Sequence, residues 1–282
     1  MVIMPEYYEV YRMKEYLDDA KIANKKIIAV DIPTLGARCF KSHTKSQAES
    51  FLLNNSISSI ETIAKYTIFN FKKGAMLCHY RFTGVPHIIG KAYNDRLLSI
   101  HSLPLAKYSK KHVRFSLVFE DNQQLDYVDT RCLSHIHINT NETSIAAFKS
   151  KLPCLEDLNN FKPVSFKDFK KTITNSKQDV KTYLQNQLTP PSGIGNYLAC
   201  EICHKAKLSP FQRINSLNKR HYNALIISIK TIHEICKSRA DYNWFCVYHK
   251  KNCGTCNSAI KHQKHSHKNS QTTWWCPQCV LD

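Results

Sequence analysis

Residues 112–129 read His-Val-Arg-Phe-Ser-Leu-Val-Phe-Glu-Asp-Asn-Gln-Gln-Leu-Asp-Tyr-Val-Asp. Val113, Phe115, Leu117 and Phe119 alternate with Arg114, Ser116 and Val118, the period-two pattern of a strand with one face in a core. Asp121 and Asn122 supply a turn, and a second β-rich run follows from Leu125 to Asp129. Strands joined this closely pair antiparallel, so the stretch predicts an antiparallel sheet with one solvated face. Further β-rich runs upstream, at 26–30, 56–63, 66–71 and 75–81, extend that reading over most of 26–138.

The flanks have a different period. Between Pro5 and Lys21, Val10, Met13, Leu17 and Ala20 recur at three- and four-residue steps with Arg12, Lys14, Glu15 and Asp18 between them, which predicts an amphipathic helix. On the other side, 139–162 is mixed and reads as a connector. Beyond it, 193–208 reads as a turn and a helix, and Leu225, Ile226, Ile229 and Ile232 mark one face of a helix over 216–238. The expected class is α+β: an N-terminal helix with an antiparallel β-sandwich (1–138), the connector (139–162), a helical domain (163–248) and a Cys/His-rich tail (249–282).

The chain has 282 residues, 43% of them hydrophobic, enough for a core and two domains. With only 7 glycines, 10 prolines and no biased tract, collagen-like, linker-like and wholly disordered classes are excluded. No stretch approaches the roughly 18 apolar residues of a membrane span, and Glu6 and Glu9 follow the start too closely for a secretory signal. The expectation is a soluble intracellular protein of cytoplasm, nucleoid or nucleus, without a membrane partner. Lysine and arginine total 40 against 22 acidic residues, a net charge of +18. A polyanion near such a surface releases counterions, so nucleic acid is the leading partner class, although a lysine-rich codon bias would give the same sum.

Twelve cysteines in a long chain without an export signal read as thiols or metal ligands rather than disulfides. Eight are scattered in apolar or mixed segments. The other four form Cys253-Gly-Thr-Cys256 and, nineteen residues on, Cys276-Pro-Gln-Cys279. Each pair presents two sulfurs to one side, so the four can surround one structural Zn2+, whose binding supplies folding free energy to a segment with little core. His262, His265 and His267 lie in the intervening loop and read as solvated residues, and Trp274 and Trp275 as a packing and a half-exposed residue on the second strand of a hairpin.

With that ribbon at the C-terminus, the Met4-Pro5-Glu6-Tyr7-Tyr8-Glu9 start gains meaning. The PExxE pattern resembles the formamidopyrimidine-DNA glycosylase/endonuclease VIII (Fpg/Nei) family of base-excision DNA glycosylases. The resemblance continues in order through Ala64-Lys65-Tyr66, His79-Tyr80-Arg81-Phe82-Thr83-Gly84, Asp129-Thr130-Arg131 and Ser192-Gly193-Ile194-Gly195-Asn196-Tyr197-Leu198-Ala199-Cys200-Glu201 to the ribbon, covering residues 5–279. It implies a helix–two-turn–helix element within the helical domain, a zinc ribbon, and a monomer binding damaged duplex or single-stranded DNA in a cleft between domains.

The resemblance also implies roles. Pro5, with a free secondary amine, attacks the sugar C1′ and expels the damaged base; the resulting Schiff base is cationic and drives β- and δ-elimination of the phosphates. Glu6 matches the acid/base carboxylate, Glu9 the second motif glutamate supporting the site, and Lys65 a phosphate-binding lysine on a strand. Asn196, opening a helix after a Gly-Ile-Gly turn, matches a phosphate ligand, with an N-cap residue as the plain alternative. Phe82, Arg131 and Leu133 resemble the three residues that fill the void left by a flipped base.

Two positions depart from the family. Gln271 stands where an arginine is usual, a neutral amide in place of a charge, for which Lys261, Lys264 or Lys268 can compensate. Met1-Val2-Ile3-Met4 precedes Pro5, and a proline inside a peptide bond cannot form a Schiff base. The expectation is translation from Met4 with Pro5 exposed on its removal. The alternative is a non-catalytic damaged-DNA or single-strand binder.

Overall fold

The computed structural model describes residues 5–91, 109–239, 241–264 and 271–280. The chain divides into two units, Met1–Leu152 and Pro153–Asp282. The first runs α1 (Tyr7–Asp19), β1 (Ile27–Asp31), α2 (Lys45–Leu52), β2 (Ile57–Ile63), β3 (Tyr66–Phe71), β4 (Ala75–His79), β5 (Gly84–Ile88), β6 (Val113–Phe119), β7 (Gln124–Asp129) and β8 (His135–Asn139). Its strands form two four-stranded antiparallel sheets, ordered β1-β6-β7-β5 and β2-β3-β4-β8.

The hairpin that opened the sequence reading is β6–β7, with Leu117 opposite Leu125 and Asn122 in the left-handed conformation at its turn (φ 64°). One expectation for it is corrected: Arg114, on the face read as solvated, is buried, while Ser116 and Val118 beside it are half-buried. Arg114 is 2% exposed and is satisfied by backbone acceptors, its Nε donating to Asp129 O at 2.6 Å and its Nη1 to Lys111 O at 3.1 Å. A long cation can be buried when carbonyls replace its water.

Tyr80 links the two sheets. Its ring stacks on Tyr127 of β7 at 6.0 Å while its hydroxyl donates to Thr67 Oγ1 of β3 at 2.9 Å. The four residues read as the apolar stripe of α1, Val10, Met13, Leu17 and Ala20, are all buried. The helix packs on β2, β3 and β5, and the Tyr16 hydroxyl accepts from Ile88 N at 2.9 Å and donates to Lys91 O at 3.2 Å. The helix is thereby held against both sheets.

The second unit holds α3 (Phe166–Ile173), α4 (Val180–Leu184), α5 (Asn196–Lys205), α6 (Lys219–Ser238) and the hairpin β9 (Lys261–Lys264)–β10 (Thr272–Trp275). Tyr222, Leu225, Ile229, Ile232 and Cys236 form the buried stripe of α6, at the spacing of one helical face. Its N-cap Asn218 accepts from His221 N at 2.9 Å. Glu201 of α5 is 2% exposed and spans Cys246 N, Val247 N and Tyr248 N at 2.8–2.9 Å. Among the described residues no helix is long and apolar enough to cross a membrane.

Candidate active site

The start of α1 concentrates buried charge. Glu6 is its N-cap, and its backbone N donates to Glu9 Oε2 at 2.7 Å while the Glu6 side chain accepts from the Glu9 backbone, a reciprocal capping box. Glu6 and Glu9 are 1% and 2% exposed, and Pro5 before them is buried. Solvated glutamates in a first turn would complement the helix dipole at little cost; two carboxyls removed from water need more than that. Residues 1–4 lie outside the described residues.

Lys65 is the cation that joins them, and its setting corrects the expectation of a strand residue. It lies with Ala64 in the two-residue turn between β2 and β3, flanked by the pair Ile63 and Tyr66. Ala64 sits in the left-handed region (φ 51°), which favours glycine, because the hairpin twist demands it. Lys65 is buried; loss of water pushes its pKa down, while the charges of Glu6 and Glu9 pull it up. His79, which pairs with Tyr66 across β3–β4, packs edge-on against that ring at 4.6 Å. Burial, with Arg81, Lys65 and His135 adding to it, pushes its pKa down to about 3, so it is neutral and its Nδ1 accepts from Arg81 N at 3.2 Å.

Phe82, Arg131 and Leu133 occupy the β4–β5 and β7–β8 connections. The Arg131 guanidinium lies 5.1 Å from the centre of the half-buried Phe82 ring, and Leu133 is 37% exposed. Asp129, fully buried, organises this loop. Its carboxylate accepts from Arg131 N at 3.1 Å, from Leu133 N and Ser134 N at 2.8 Å, from Ser134 Oγ at 2.7 Å and from the Thr83 hydroxyl. Two of the exposed side chains are thus carried on a backbone fixed by one buried carboxylate.

In the second unit Asn196 is the first residue of α5; Gly195 is the N-cap, which corrects the plain alternative for Asn196. Its side-chain nitrogen donates to Thr272 O at 3.0 Å, and its buried Oδ1 has no hydrogen-bond partner. Gln271 Oε1 accepts from Gln185 Nε2 at 2.7 Å. Cys253, Cys256, Cys276 and Cys279 place their sulfurs within 4.8 Å of one another. A tetrahedral Zn–S bond of about 2.3 Å sets sulfurs about 3.8 Å apart. The sulfur pairs 256–276, 256–279 and 253–279 lie at 3.4, 3.5 and 3.8 Å, and Thr255 N donates to the Cys253 sulfur at 3.3 Å, so the four fit such an ion. His262 instead lies on β9 with its ring 4.6 Å from that of Trp274; His265, His267 and Lys268 fall outside the described residues.

The sequence profile of the formamidopyrimidine-DNA glycosylase N-terminal domain matches residues 4–136. A formamidopyrimidine-DNA glycosylase of Ureaplasma parvum is 27% identical over 298 aligned positions, covering 98% of this chain and 99% of the relative. One of Mycoplasma genitalium is 29% identical over 240, covering 83% and 72%. The fold of the Lactococcus lactis formamidopyrimidine-DNA glycosylase, solved with DNA containing an abasic site, superposes with a TM-score of 0.78 over 98% of this chain and 100% of that one, at 22% identity. The likeness is to the Fpg/Nei family: the N-terminal-domain match spans residues 4–136, and the alignment to the Ureaplasma relative runs nearly the whole chain.

Within the Fpg/Nei frame, the sequence reading missed two groups that shape the first unit. Asp129 and His79 both stand in the quoted motifs without a role. A carboxylate two residues before an exposed arginine signals a turn, whereas the burial of His79 depends on pairing between β3 and β4 and has no local signature.

Proposed function

We propose that the protein is a bifunctional DNA glycosylase and abasic-site lyase of base-excision repair, which removes oxidised bases through a Schiff base on Pro5. The observation that carries this reading is the burial of Pro5, Glu6, Glu9 and Lys65, with the charges of Glu6 and Glu9 acting on Lys65. In a water-poor corner a carboxyl can deliver a proton to the departing sugar oxygen and take it back during elimination, and Glu6 is the carboxyl adjacent to the nucleophile. Glu9 holds the Glu6 backbone through its 2.7 Å hydrogen bond and so orients it. Lys65 serves a phosphate, Asn196 and Gln271 bind DNA from the second unit, and Phe82, Arg131 and Leu133 fill the space of an extruded base.

Residues 163–248 supply the helix–two-turn–helix part of the DNA grip and 249–282 the ribbon, where the four cysteines hold one structural Zn2+ that supplies folding free energy. The protein works as a monomer inside the cell on damaged DNA. Cleavage of the strand by successive β- and δ-elimination follows from the cationic Schiff base.

Borohydride trapping on an abasic-site oligonucleotide tests the reading, using protein started at Met4 beside protein retaining residues 1–4. An adduct mapped to Pro5 only in the Met4-started form is expected. If neither form traps although both bind the oligonucleotide, the non-catalytic damaged-DNA or single-strand binder replaces the enzyme; residues 1–4 in front of Pro5 are what favour that alternative.

A further inference from the structure

The loop that carries Arg131 and Leu133 has a thiol between them. Cys132 Sγ lies 3.6 Å from Cys39 Sγ and 3.2 Å from the Leu35 carbonyl oxygen, to which it donates. Cys39 ends a short 3-10 turn (Gly36–Cys39) and is fully buried. That turn cannot drift from the sheet: a Cβ on Gly36 would stand 1.8 Å from Arg114 O, so the turn rests on the β6 backbone. On the other side Asp129 binds the backbone N–H groups of Arg131, Leu133 and Ser134, and Cys132 is left in the left-handed region at φ 52°. Two thiols are therefore held face to face by two independently anchored segments, separated by 93 positions in the chain.

We propose that Cys39 and Cys132 form a reversible oxidative modification site, a disulfide made by hydroperoxides, that locks the Arg131–Leu133 loop. Cys132 is half-buried and reacts first, while burial pushes the Cys39 thiol up and keeps it protonated until needed. The Cys132 thiolate attacks a hydroperoxide, the O–O bond breaks, and an alcohol (water, from hydrogen peroxide) leaves with the proton lost from the thiol. Cys132 is then a sulfenic acid. The Cys39 sulfur attacks it, the S–S bond forms, the S–O bond breaks, and the Cys39 proton leaves with the hydroxyl as water. Two thiols are oxidised and one peroxide is reduced; a dithiol reverses the result.

Closing the sulfurs from 3.6 Å to about 2.0 Å moves them together by about 1.6 Å, a movement shared between Cys39 and Cys132. Arg131 and Leu133 are the immediate neighbours of Cys132, so the backbone that presents both shifts with it. The consequence for base excision rests on the function proposed above; formation of the bond does not.

The test treats the full-length, metal-loaded, reduced protein with equimolar hydrogen peroxide, blocks free thiols, and maps peptides without reduction, with zinc release followed alongside. A Cys39–Cys132 linked pair is expected before zinc is released. Excision from oxidised duplex DNA should slow about tenfold or more, since misplacement by an ångström is enough for that, and recover with dithiothreitol. Cys39→Ala should keep its rate under the same treatment. Absence of the linked pair while other cysteines are oxidised overturns the site, and a linked pair with unchanged excision overturns the lock. If the reduced protein excises nothing, the proposed function has failed, the linked pair alone decides the site, and altered affinity for abasic-site DNA decides the lock.

Discussion

The corner at the start of α1 and the four-cysteine ribbon are both small, both read from short motifs, and held together by opposite means. Around the corner, strands and helix bury Val10, Met13, Leu17, Ile63, Ala64 and Ile68, so Glu6, Glu9 and Lys65 sit where packing has already excluded water. In the ribbon every residue of β9 is exposed, and between 249 and 280 only Cys253, Thr273 and Cys276 are buried among the described residues. Apolar burial at ~25 cal/mol per Å² can order the first region and cannot order the second. A packed scaffold can therefore hold costly charges, whereas a thin one needs bonds to a metal.

Metal removal breaks this comparison with the largest effect. If the four cysteines hold the proposed Zn2+, a chelator should unfold the ribbon, with a loss on the order of 10 kcal/mol, the scale of structural zinc sites. All three tryptophans, Trp244, Trp274 and Trp275, lie in the second unit, so their fluorescence reports on it alone. Trp274 packs on His249 and His262, and Trp275 on Phe211 at 4.9 Å; their emission should shift to the red as those contacts go. Amide exchange of β1 to β8 should not change. If the tryptophan emission is indifferent to the chelator, the ribbon has a core that its burial pattern does not reveal.

The same contrast explains what could be read without a structure. The ribbon was legible as spacing because a metal site is local chemistry, and its four ligands assemble as two short pairs. The stripe of α1 and the β6–β7 hairpin were legible because their periods repeat. Several other elements were not. α2 opens on Thr44-Lys-Ser-Gln47, a capping-box pattern whose Thr44 Oγ1 accepts from Gln47 N at 3.3 Å. β5 (Gly84–Ile88) and β8 (His135–Asn139) are short, carry proline or histidines, and become strands only through partners far away in sequence. Lys65 was recognisable by motif, and the gap between the β-rich runs 56–63 and 66–71 already set it in the turn that the pairing of Ile63 with Tyr66 closes.

His79 sharpens the comparison from the packed side. Its folded pKa of about 3 lies below the ordinary 6.5, so between those values the unfolded chain binds the extra proton. The stability this group contributes is complete above pH 6.5 and is lost as pH falls toward 3. Part of the residue remains exposed, which reduces the penalty to about 2 kcal/mol. His79→Asn, which keeps an acceptor near Nδ1 but does not titrate there, should flatten the acid limb of urea-melt stability for the first unit by about that amount. An unchanged limb would place the titrating group elsewhere.

Gln271 gives the smallest effect and bears on the thin side. It is bound to Gln185 Nε2 at 2.7 Å, a neutral amide pair worth about 1 kcal/mol, at the position where the family usually carries an arginine. Gln271→Arg loses that pair and adds one charge. If the residue faces DNA, the plot of log affinity against log salt should steepen by about 0.9, the release of one counterion per phosphate neutralised, and the gain should be similar for damaged and intact duplex. Binding should tighten most at low salt, where one extra charge is least screened, while the lost amide pair lowers the ribbon's stability slightly. An unchanged slope would mean that position 271 serves the contact with α4 and that the lysines of β9, Lys261 and Lys264, hold the charge the family places at 271.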